Sequence, residues 1–332
     1  MSTLVLIFAT ALVFAMGVTP LARHLALRVG FLDHPDARKI HASPMPRLGG
    51  LAMYGAFMLA LVLFADRFYV PQMIGIVVGA TWVSFLGLWD DRVGLHAGLK
   101  LIGQIGGALI LVVTGVTVEL VPYPLVNTAI TVLWVVGITN AMNLLDNMDG
   151  LSGGSAAIAA VFFLLIAALN GQYLVGMLSA ALLGAAIGFL IYNFNPARIF
   201  MGDTGSLFIG FLLAAVGIKL RFPILPVTVT WFIPILVLGL PIFDTALVFV
   251  SRLRRGLNPL THPGTDHTSH RLVARGLTRR EAVLTLYLVS GGLGVAAMFC
   301  TQGNLLANYL VLAMVAAAGI AALYEFEFRK RD

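Results

Sequence analysis

Eleven apolar runs, separated by short polar connections, dominate this sequence. An α-helix needs ~20 apolar residues to cross the hydrocarbon core of a bilayer, and each run approaches that length. The sequence therefore predicts an all-α polytopic membrane protein with about 11 transmembrane helices. The runs cover approximately residues 2–22, 48–65, 71–88, 99–117, 125–143, 152–169, 172–192, 205–220, 224–250, 280–300 and 303–324.

The composition excludes the main soluble classes. Hydrophobic residues make up 59% of the 332 residues and charged residues 11%, against roughly 45–50% and 25% in soluble domains. So few charges could not cover the apolar surface of a soluble fold. The single cysteine, Cys300, excludes an intrachain disulfide. The first run lacks the basic start and cleavage site of a signal peptide, so we expect a retained helix.

The distribution of lysine and arginine predicts the orientation. The connections after runs 1, 3, 5, 7 and 9, with the C-terminal tail, hold 18 of the 21 Lys and Arg residues. Because these residues are enriched in cytoplasmic loops, we expect the N-terminus outside and the C-terminus in the cytosol. All seven histidines fall on the same cytosolic side, and of the fifteen acidic residues only Asp66 and Glu119 lie outside. This clustering points to chemistry at the inner membrane face.

Two polar motifs end apolar runs on that face. Asp90 and Asp91 are adjacent carboxylates that repel each other unless a cation or a raised pKa intervenes. Two solvated loop acids are the alternative. The second motif is a row of polar residues that recurs every three residues, Asn140, Asn143, Asp146 and Asp149, and ends at Gly150. On a helix such a row stays on one broad face. Acids near the C-terminus of a helix oppose the helix dipole, which favours a bound cation, and a wet membrane interface is the alternative.

A glycine-containing loop leads into the eighth run. Asn193 opens it, and Gly202-Asp203-Thr204-Gly205-Ser206 closes it. Glycines allow backbone N–H groups to approach an anion at a helix start. The alternative is that Asp203 only caps the helix.

Basic residues on the same face are candidate phosphate contacts. Lys39 and Arg47 lie between runs 1 and 2, and His267, His270 and Arg271 lie in the longest cytosolic loop. Orientation in the membrane is the alternative role for the arginines. We favour that role for Arg252, Arg254, Arg255, Arg279 and Arg280.

One acidic residue, Asp244, lies inside an apolar run. An acid within a membrane span is a functional candidate by default. Asp244 could equally form a hydrogen bond with a backbone group that lost its helical partner because of Pro241. The sequence therefore leaves the role of Asp244 unassigned. The same run contains Pro226 and Pro234 as well, so we expect it to be kinked or split.

The ordered set of motifs resembles the polyprenyl-phosphate N-acetylhexosamine-1-phosphate transferases of glycosyltransferase 4 type, in particular the WecA/TagO type, relatives of MraY. The resemblance runs from about Gly30 to Leu272. One departure is Ser269, which stands where relatives tend to carry the middle histidine of His-x-His-His. The resemblance rests on Arg47-Leu48-Gly49-Gly50, Asp90-Asp91, Asn143-x-x-Asp146-x-x-Asp149-Gly150, Asn193-x-x-Pro196-Ala197 and Phe200-Met201-Gly202-Asp203-x-Gly205-Ser206.

This resemblance implies a reaction. HexNAc-1-phosphate, with GlcNAc the favoured sugar, would pass from UDP-HexNAc to undecaprenyl or another polyprenyl phosphate, releasing UMP. It would be the first membrane step of cell-surface polysaccharide synthesis, at the cytosolic side of a bacterial-type plasma membrane, with Mg²⁺ or alternatively Mn²⁺. A phospho-MurNAc-pentapeptide transferase and a multi-span transporter or lipid flippase are the rival readings. No nucleic acid partner is expected, and a homodimer is left open.

The resemblance also implies roles for residues. Asp203 and Asn143 would hold the metal, and Asp90 and Asp91 would organise the lipid phosphate, with Asp90, Asp91 and Asp203 as catalytic residues. Substrate contacts would come from Lys39, Arg47, Lys100, Asp146, Asp149, Asn193, His267, His270 and Arg271. We expect one catalytic domain, 1–332, with its active-site face formed by the cytosolic loops 23–47, 89–98, 144–151, 193–204 and 251–279.

Overall fold

The structure, a computed structural model, describes residues 2–34, 43–64, 70–259 and 264–329. Within these ranges the regular secondary structure is helical apart from one short antiparallel ribbon. The ribbon pairs β1 (Leu32–Asp33) with β2 (Met45–Pro46). The all-α class is confirmed.

The chain divides into two compact units, Met1–Leu220 and Arg221–Asp332, which are described separately. The first contains α1 (Ser2–Val29), α2 (Gly49–Phe64), α3 (Val70–Val93), α4 (Ala97–Val113), α5 (Pro124–Leu145), α6 (Leu151–Leu169), α7 (Tyr173–Asn193) and α8 (Gly202–Lys219). The second contains α9 (Val227–Val237), α10 (Gly239–Arg254), α11 (Thr268–Val273), α12 (Arg279–Gln302) and α13 (Leu305–Glu327).

Each of the eleven apolar runs corresponds to a helix or to a pair of helices. Eight helices in the described part are long and apolar enough to cross a membrane, and the pair α9 and α10 would make a ninth span. The helices α2 and α4 have 16 and 17 residues and are shorter than these. The chain is therefore a polytopic α-helical membrane protein.

The predicted break in the ninth run is confirmed. The helices α9 and α10 are bent by 79°. Pro234 lies inside α9, and Gly239 begins α10 directly after the bend at Leu238. Proline removes a helical hydrogen bond and clashes with the preceding turn, which explains a sharp bend at this place.

The core of the first unit is α8, most of whose residues are buried. It packs against α2, α3 and α5. The start of α2 comes close enough for Gly50 N–H to donate to the Met201 carbonyl at 2.9 Å. A side chain at Gly50 would collide with the backbone of Gly205. This close approach explains the glycine pair in the Arg47–Gly50 motif, and it fixes where α8 begins.

The prediction that one helix face carries all four residues from Asn140 to Asp149 is wrong. The helix α5 ends at Leu145, so Asp146 is its C-cap residue and Asp149 lies in the following turn. Gly150 has φ +78°, a conformation that glycine adopts without steric cost. Gly153 and Gly154, the next glycines in the sequence, lie inside α6.

Candidate functional site

The first unit gathers predicted residues from five separate segments of the chain. The end of α3 supplies Asp90 and Asp91, and the loop before α2 supplies Arg47. Lys100 lies in the first turn of α4, Asn143 near the end of α5, and Asp203 in the first turn of α8. Residues far apart in sequence thus meet where several helices end or begin.

Lys100 is the central cation of this group. Its Nζ lies 2.9 Å from Asp90 Oδ2 and 3.1 Å from Asn143 Oδ1, and it also bonds Asp203 Oδ2. The side chain of Asp203 is 23% exposed and that of Lys100 16%. The oxygens are therefore held around a positive charge while remaining reachable from solvent.

Neighbouring groups hold two of these acids in place. Asn143 Nδ2 donates to Asp203 Oδ1 and to Ser206 Oγ, at 2.9 Å each. Asp90 Oδ1 accepts the Leu95 N–H at 2.7 Å. Ser206 was not among the predicted site residues. Its place in the Gly202–Ser206 motif was the only signal in the sequence.

Asp91 has a different environment from Asp90, since its side chain is fully buried. Its carboxylate accepts from the N–H of Asp203 at 2.8 Å, and from the N–H and the hydroxyl of Thr204 at 3.0 and 2.7 Å. No residue of the α8 N-terminus makes a side-chain cap. Asp91 therefore supplies from α3 the negative group that the first N–H groups of a helix require.

Gly202 allows this approach. It has φ +67°, and a side chain there would meet the carboxylate of Asp91. The alternative reading of Asp203 as a cap of its own helix finds no support, because α8 has no side-chain cap at its start. The predicted role of Asp91 at the lipid phosphate stays a prediction, and its observed contacts are with the protein.

Arg47 bridges two carboxylates. Its guanidinium lies 3.1 Å from Asp33 and 3.1 Å from Asp91, and its side chain is 28% exposed. It links the β1–β2 ribbon to the end of α3 and still presents part of its surface to an incoming anion. The other predicted phosphate contact of this loop, Lys39, lies outside the described residues.

Asp149 holds the loop that precedes α8. Its Oδ2 accepts from Asn195 Nδ2 at 3.1 Å and from the Ala197 N–H at 3.0 Å. These bonds tie the segment Asn195–Ala197 to the turn that follows α5, a pairing that the sequence did not reveal.

Asn193 makes a second tie between the same segments and is buried. Its Oδ1 accepts the Gly150 N–H at 3.1 Å, and its Nδ2 donates to the Ile199 carbonyl at 3.0 Å. Both polar groups of the amide are therefore used within the protein. Its predicted contact with substrate stays a prediction.

Asp146 is the acid in this group whose ionised form the surrounding residues stabilise least. No described residue donates a hydrogen bond to its carboxyl group, while Asp203, Asp91 and Asp149 lie in its electrostatic range. Burial, reinforced by the charge of Asp203 and opposed by Arg47, raises the pKa of Asp146 to about 8. A donor or cation from a ligand would satisfy this carboxyl group.

The donor set suits a hard divalent ion completed by substrate. No three His, Cys, Asp or Glu side chains of the described ranges form a group that could hold a metal by themselves. Mg²⁺ usually takes one or two carboxylates together with phosphate oxygens and water. Asp203 and Asn143 offer such oxygens, and the ammonium of Lys100 already lies among them as a cation. These residues fit the magnesium site that the resemblance implies.

The second unit contains a buried pair. His267 Nδ1 lies 2.7 Å from Asp244 Oδ2, and the Thr268 N–H donates to Asp244 Oδ1 at 2.7 Å. The side chains of His267 and Asp244 are 6% and 1% exposed. The ring of His270 is centred 6.1 Å from that of His267. Burial, with the neighbouring His267, lowers the pKa of His270 and so disfavours a positive charge at neutral pH.

Arg271 is bonded to the protein through four of its N–H groups. Nε donates to the Asp266 carbonyl and Nη1 to the Phe326 carbonyl, at 2.8 and 2.6 Å. Nη2 donates to Ser251 Oγ and Glu327 Oε2, at 2.9 and 2.7 Å. A guanidinium has five N–H donors, so little of it is left for a phosphate. The structure gives this residue an anchoring role for α11.

The orienting role favoured for Arg252 stays a prediction, but the side chain does not face lipid headgroups, because the residue is 3% exposed. Its Nε donates to Asp266 Oδ2 at 3.2 Å and its Nη1 to the Pro259 carbonyl at 2.9 Å. Arg255 bonds the other oxygen of Asp266. Against the effect of burial, these two arginines hold the pKa of Asp266 below its ordinary value.

Comparison with known proteins identifies the family of this chain. Residues 73–221, which carry most of the cluster around Lys100, match the model of Glycosyl transferase family 4. A probable undecaprenyl-phosphate N-acetylglucosaminyl 1-phosphate transferase of Bacillus subtilis is 34% identical, over 94% of this chain and 89% of the relative.

Two further relatives come from other organisms. A decaprenyl-phosphate N-acetylglucosaminephosphotransferase of Mycolicibacterium smegmatis is 34% identical over 87% of this chain and 80% of its own length. An undecaprenyl-phosphate alpha-N-acetylglucosaminyl 1-phosphate transferase of Salmonella typhi is 29% identical over 90% and 84%. The chain thus belongs to glycosyl transferase family 4, among the polyprenyl-phosphate N-acetylhexosamine-1-phosphate transferases.

Proposed function

We propose that this protein transfers GlcNAc-1-phosphate from UDP-GlcNAc to a polyprenyl phosphate and releases UMP. The observation that carries the proposal is the position of Lys100 among Asp90, Asn143 and Asp203 in a member of this family. Such a group places a fixed positive charge and several oxygen ligands at one accessible point. Three phosphates must be brought together there.

The chemistry of the reaction matches what the site offers. A phosphate monoester has a second pKa near ~6, so the lipid phosphate is largely dianionic at neutral pH and needs little deprotonation. The main demand is to position like-charged groups and neutralise their charge. Lys100 and the exposed part of Arg47 supply positive charge for that purpose.

We further propose Mg²⁺ as the cofactor, held by Asp203 and Asn143. When bound, it would neutralise charge on the diphosphate. Asn143 keeps Asp203 oriented, and Asp90 stays beside Lys100 on the side that we assign to the lipid phosphate. Asp146 has an unsatisfied carboxyl group and is assigned to the nucleotide.

The names of the relatives support GlcNAc as the sugar and a polyprenyl phosphate as the acceptor. These names mention both undecaprenyl and decaprenyl phosphate, so the length of the lipid acceptor has to be determined by assay. The relatives do not favour a MurNAc-pentapeptide substrate. A transporter is not favoured either, since the polar cluster lies where helices end and begin, whereas transporters place theirs near the middle of the membrane.

The decisive experiment uses detergent-purified protein, radiolabelled UDP-GlcNAc, undecaprenyl phosphate and Mg²⁺. We expect labelled lipid product and stoichiometric UMP, both dependent on the lipid. Asp90→Ala and Asp203→Ala should abolish transfer, whereas Glu119→Gln, outside the cluster, should remain active. Absence of lipid-linked product with every UDP-sugar of a panel would reject the function. Normal turnover by both alanine variants would reject the assignment of the site.

We propose eleven spans, counting α2 and α4, with the N-terminus outside and the site facing the cytosol of a bacterial plasma membrane. The test uses a Cys300→Ala background with single cysteines at exposed positions. Arg198→Cys should react with a membrane-impermeant maleimide only after the inner face is opened. Tyr123→Cys, which is 66% exposed, should react in intact cells. The reverse pattern would overturn the orientation.

A further inference from the structure

Asp244 has no part in the reaction as described so far. It lies in α10, and its side chain is 1% exposed. A buried carboxylate is costly unless hydrogen bonds compensate the lost hydration. Two such bonds are present, and both come from the start of the segment that carries His267.

The geometry determines which ring nitrogen of His267 carries hydrogen. Asp244 Oδ1 accepts the backbone N–H of Thr268, and Oδ2 lies 2.7 Å from Nδ1 of His267. An ionised carboxylate can only accept hydrogen bonds, so Nδ1 must be the donor. A histidine whose Nδ1–H is held in this way presents Nε2 as its remaining functional atom.

The arrangement is more specific than a buried polar pair requires. Among the described residues, none bonds Nε2 of His267, whereas both oxygens of Asp244 are used. A histidine that only filled a core position would be expected to satisfy both ring nitrogens. Here Asp244 fixes one ring nitrogen, and no residue of the described ranges bonds the other.

We propose that Asp244 is a positioning residue for His267: the carboxylate on α10 holds the imidazole as the Nδ1–H form, so that Nε2 is the ring nitrogen available to the transfer reaction. This inference rests on the proposed function. It assigns to the intramembrane acid a role exerted through one histidine, and it explains why an acid is placed at that depth of α10.

The sharpest variant is Asp244→Asn. Its carbonyl oxygen can still accept from the Thr268 N–H, while its NH₂ group faces Nδ1 and forces the hydrogen onto Nε2. In the serine-protease triad the same replacement imposes the wrong tautomer at little structural cost. We expect kcat to fall by about 10²-fold or more, with KM for UDP-GlcNAc changed by less than about threefold. Thr245→Val, whose buried hydroxyl has no partner, is the matched control and should retain activity.

A second variant covers the case in which Asp244→Asn does not fold. His267→Asn places an amide NH₂ near the position of Nδ1, so it keeps the bond to Asp244 but lacks Nε2. It should unfold at the same temperature as wild type and lose activity to a similar extent. Joining His267→Asn with Asp244→Asn should cause no further loss, because both act on one group.

The outcomes separate the two proposals. A wild-type protein that makes no lipid-linked GlcNAc overturns the proposed function. With an active wild type, the positioning role is overturned if His267→Asn keeps activity within about twofold, or if the losses of the two variants multiply in the double variant. It is equally overturned if folded Asp244→Asn turns over at the wild-type rate.

Discussion

Oδ2 of Asp91 accepts two hydrogen bonds from Thr204, from its backbone N–H at 3.0 Å and from its hydroxyl at 2.7 Å. One helix thereby closes the N-terminus of another, because Asp91 belongs to α3 and Thr204 to the first turn of α8. The position of Asp203 follows from this contact, since its own N–H bonds the other oxygen of Asp91.

Asp91→Asn should therefore destabilise the protein as well as inactivate it. The change removes the charge that satisfies the first N–H groups of α8, which we expect to cost about 1–3 kcal/mol. Thermal unfolding in detergent measures the loss. Asp33→Asn is the control, because Asp33 also pairs with Arg47 but does not bond α8. Equal unfolding temperatures for the two variants would contradict the capping role.

The fold class could be predicted because apolar run length has a direct physical meaning in a membrane. The eleven runs all became helices, and the prolines near Leu238 predicted the break between α9 and α10. The turn after α5 could not be placed, because a three-residue recurrence does not reveal where a helix ends. The turn runs from Asp146 to Gly150, whose positive φ precedes the start of α6.

The site could be predicted as a set of residues and not as a set of contacts. The motifs singled out Asp90, Asn143 and Asp203, and the family resemblance added Lys100. The structure brings these four residues together. Adjacent acids such as Asp90 and Asp91 look equivalent in sequence. Only the packing of α3 against α8 turns one toward Lys100 and buries the other.

Replacement of Lys100 should affect activity far more than stability. In Lys100→Gln the carboxylates of Asp90 and Asp203 lose the ammonium between them, and the phosphates lose a fixed cation. We expect kcat/KM to fall by about 10²–10³-fold, as for removal of one electrostatic contact to a transition state. Transfer assays at saturating Mg²⁺ measure this. Lys219→Gln, at the opposite end of α8, removes the same charge and should stay active.

Removal of divalent ions should abolish transfer. EDTA is expected to stop the reaction, and added Mg²⁺ to restore it, with Mn²⁺ as a substitute. Ser206→Ala should raise the Mg²⁺ concentration for half-maximal rate by about tenfold or more, because Ser206 fixes the amide of Asn143. Ser155→Ala removes a buried hydroxyl without a partner and serves as control. Full activity in EDTA would refute the metal assignment.

Loss of the Asp149 carboxylate should free the loop before α8. Asp149→Ala removes the acceptor for Asn195 Nδ2 and for the Ala197 N–H. We expect faster tryptic cleavage after the exposed Arg198 in the variant, and slower cleavage when UDP-GlcNAc is bound. Asp149→Asn keeps one acceptor oxygen and should lie between the variant and wild type. Unchanged cleavage in Asp149→Ala would show that other contacts hold the loop.

Asp266 should make the stability of the second unit depend on acid pH. Arg252 and Arg255 hold its pKa below the ordinary value in the folded protein. A carboxyl group with a lowered folded pKa contributes stability above its unfolded pKa, ~3.9. That contribution is lost as pH falls through the folded pKa. The unfolding temperature of wild type should therefore exceed that of Asp266→Asn at pH 6, and the difference should shrink below about pH 4. A difference that stayed constant from pH 6 to 3 would assign the effect of the variant to packing and not to the ion pairs.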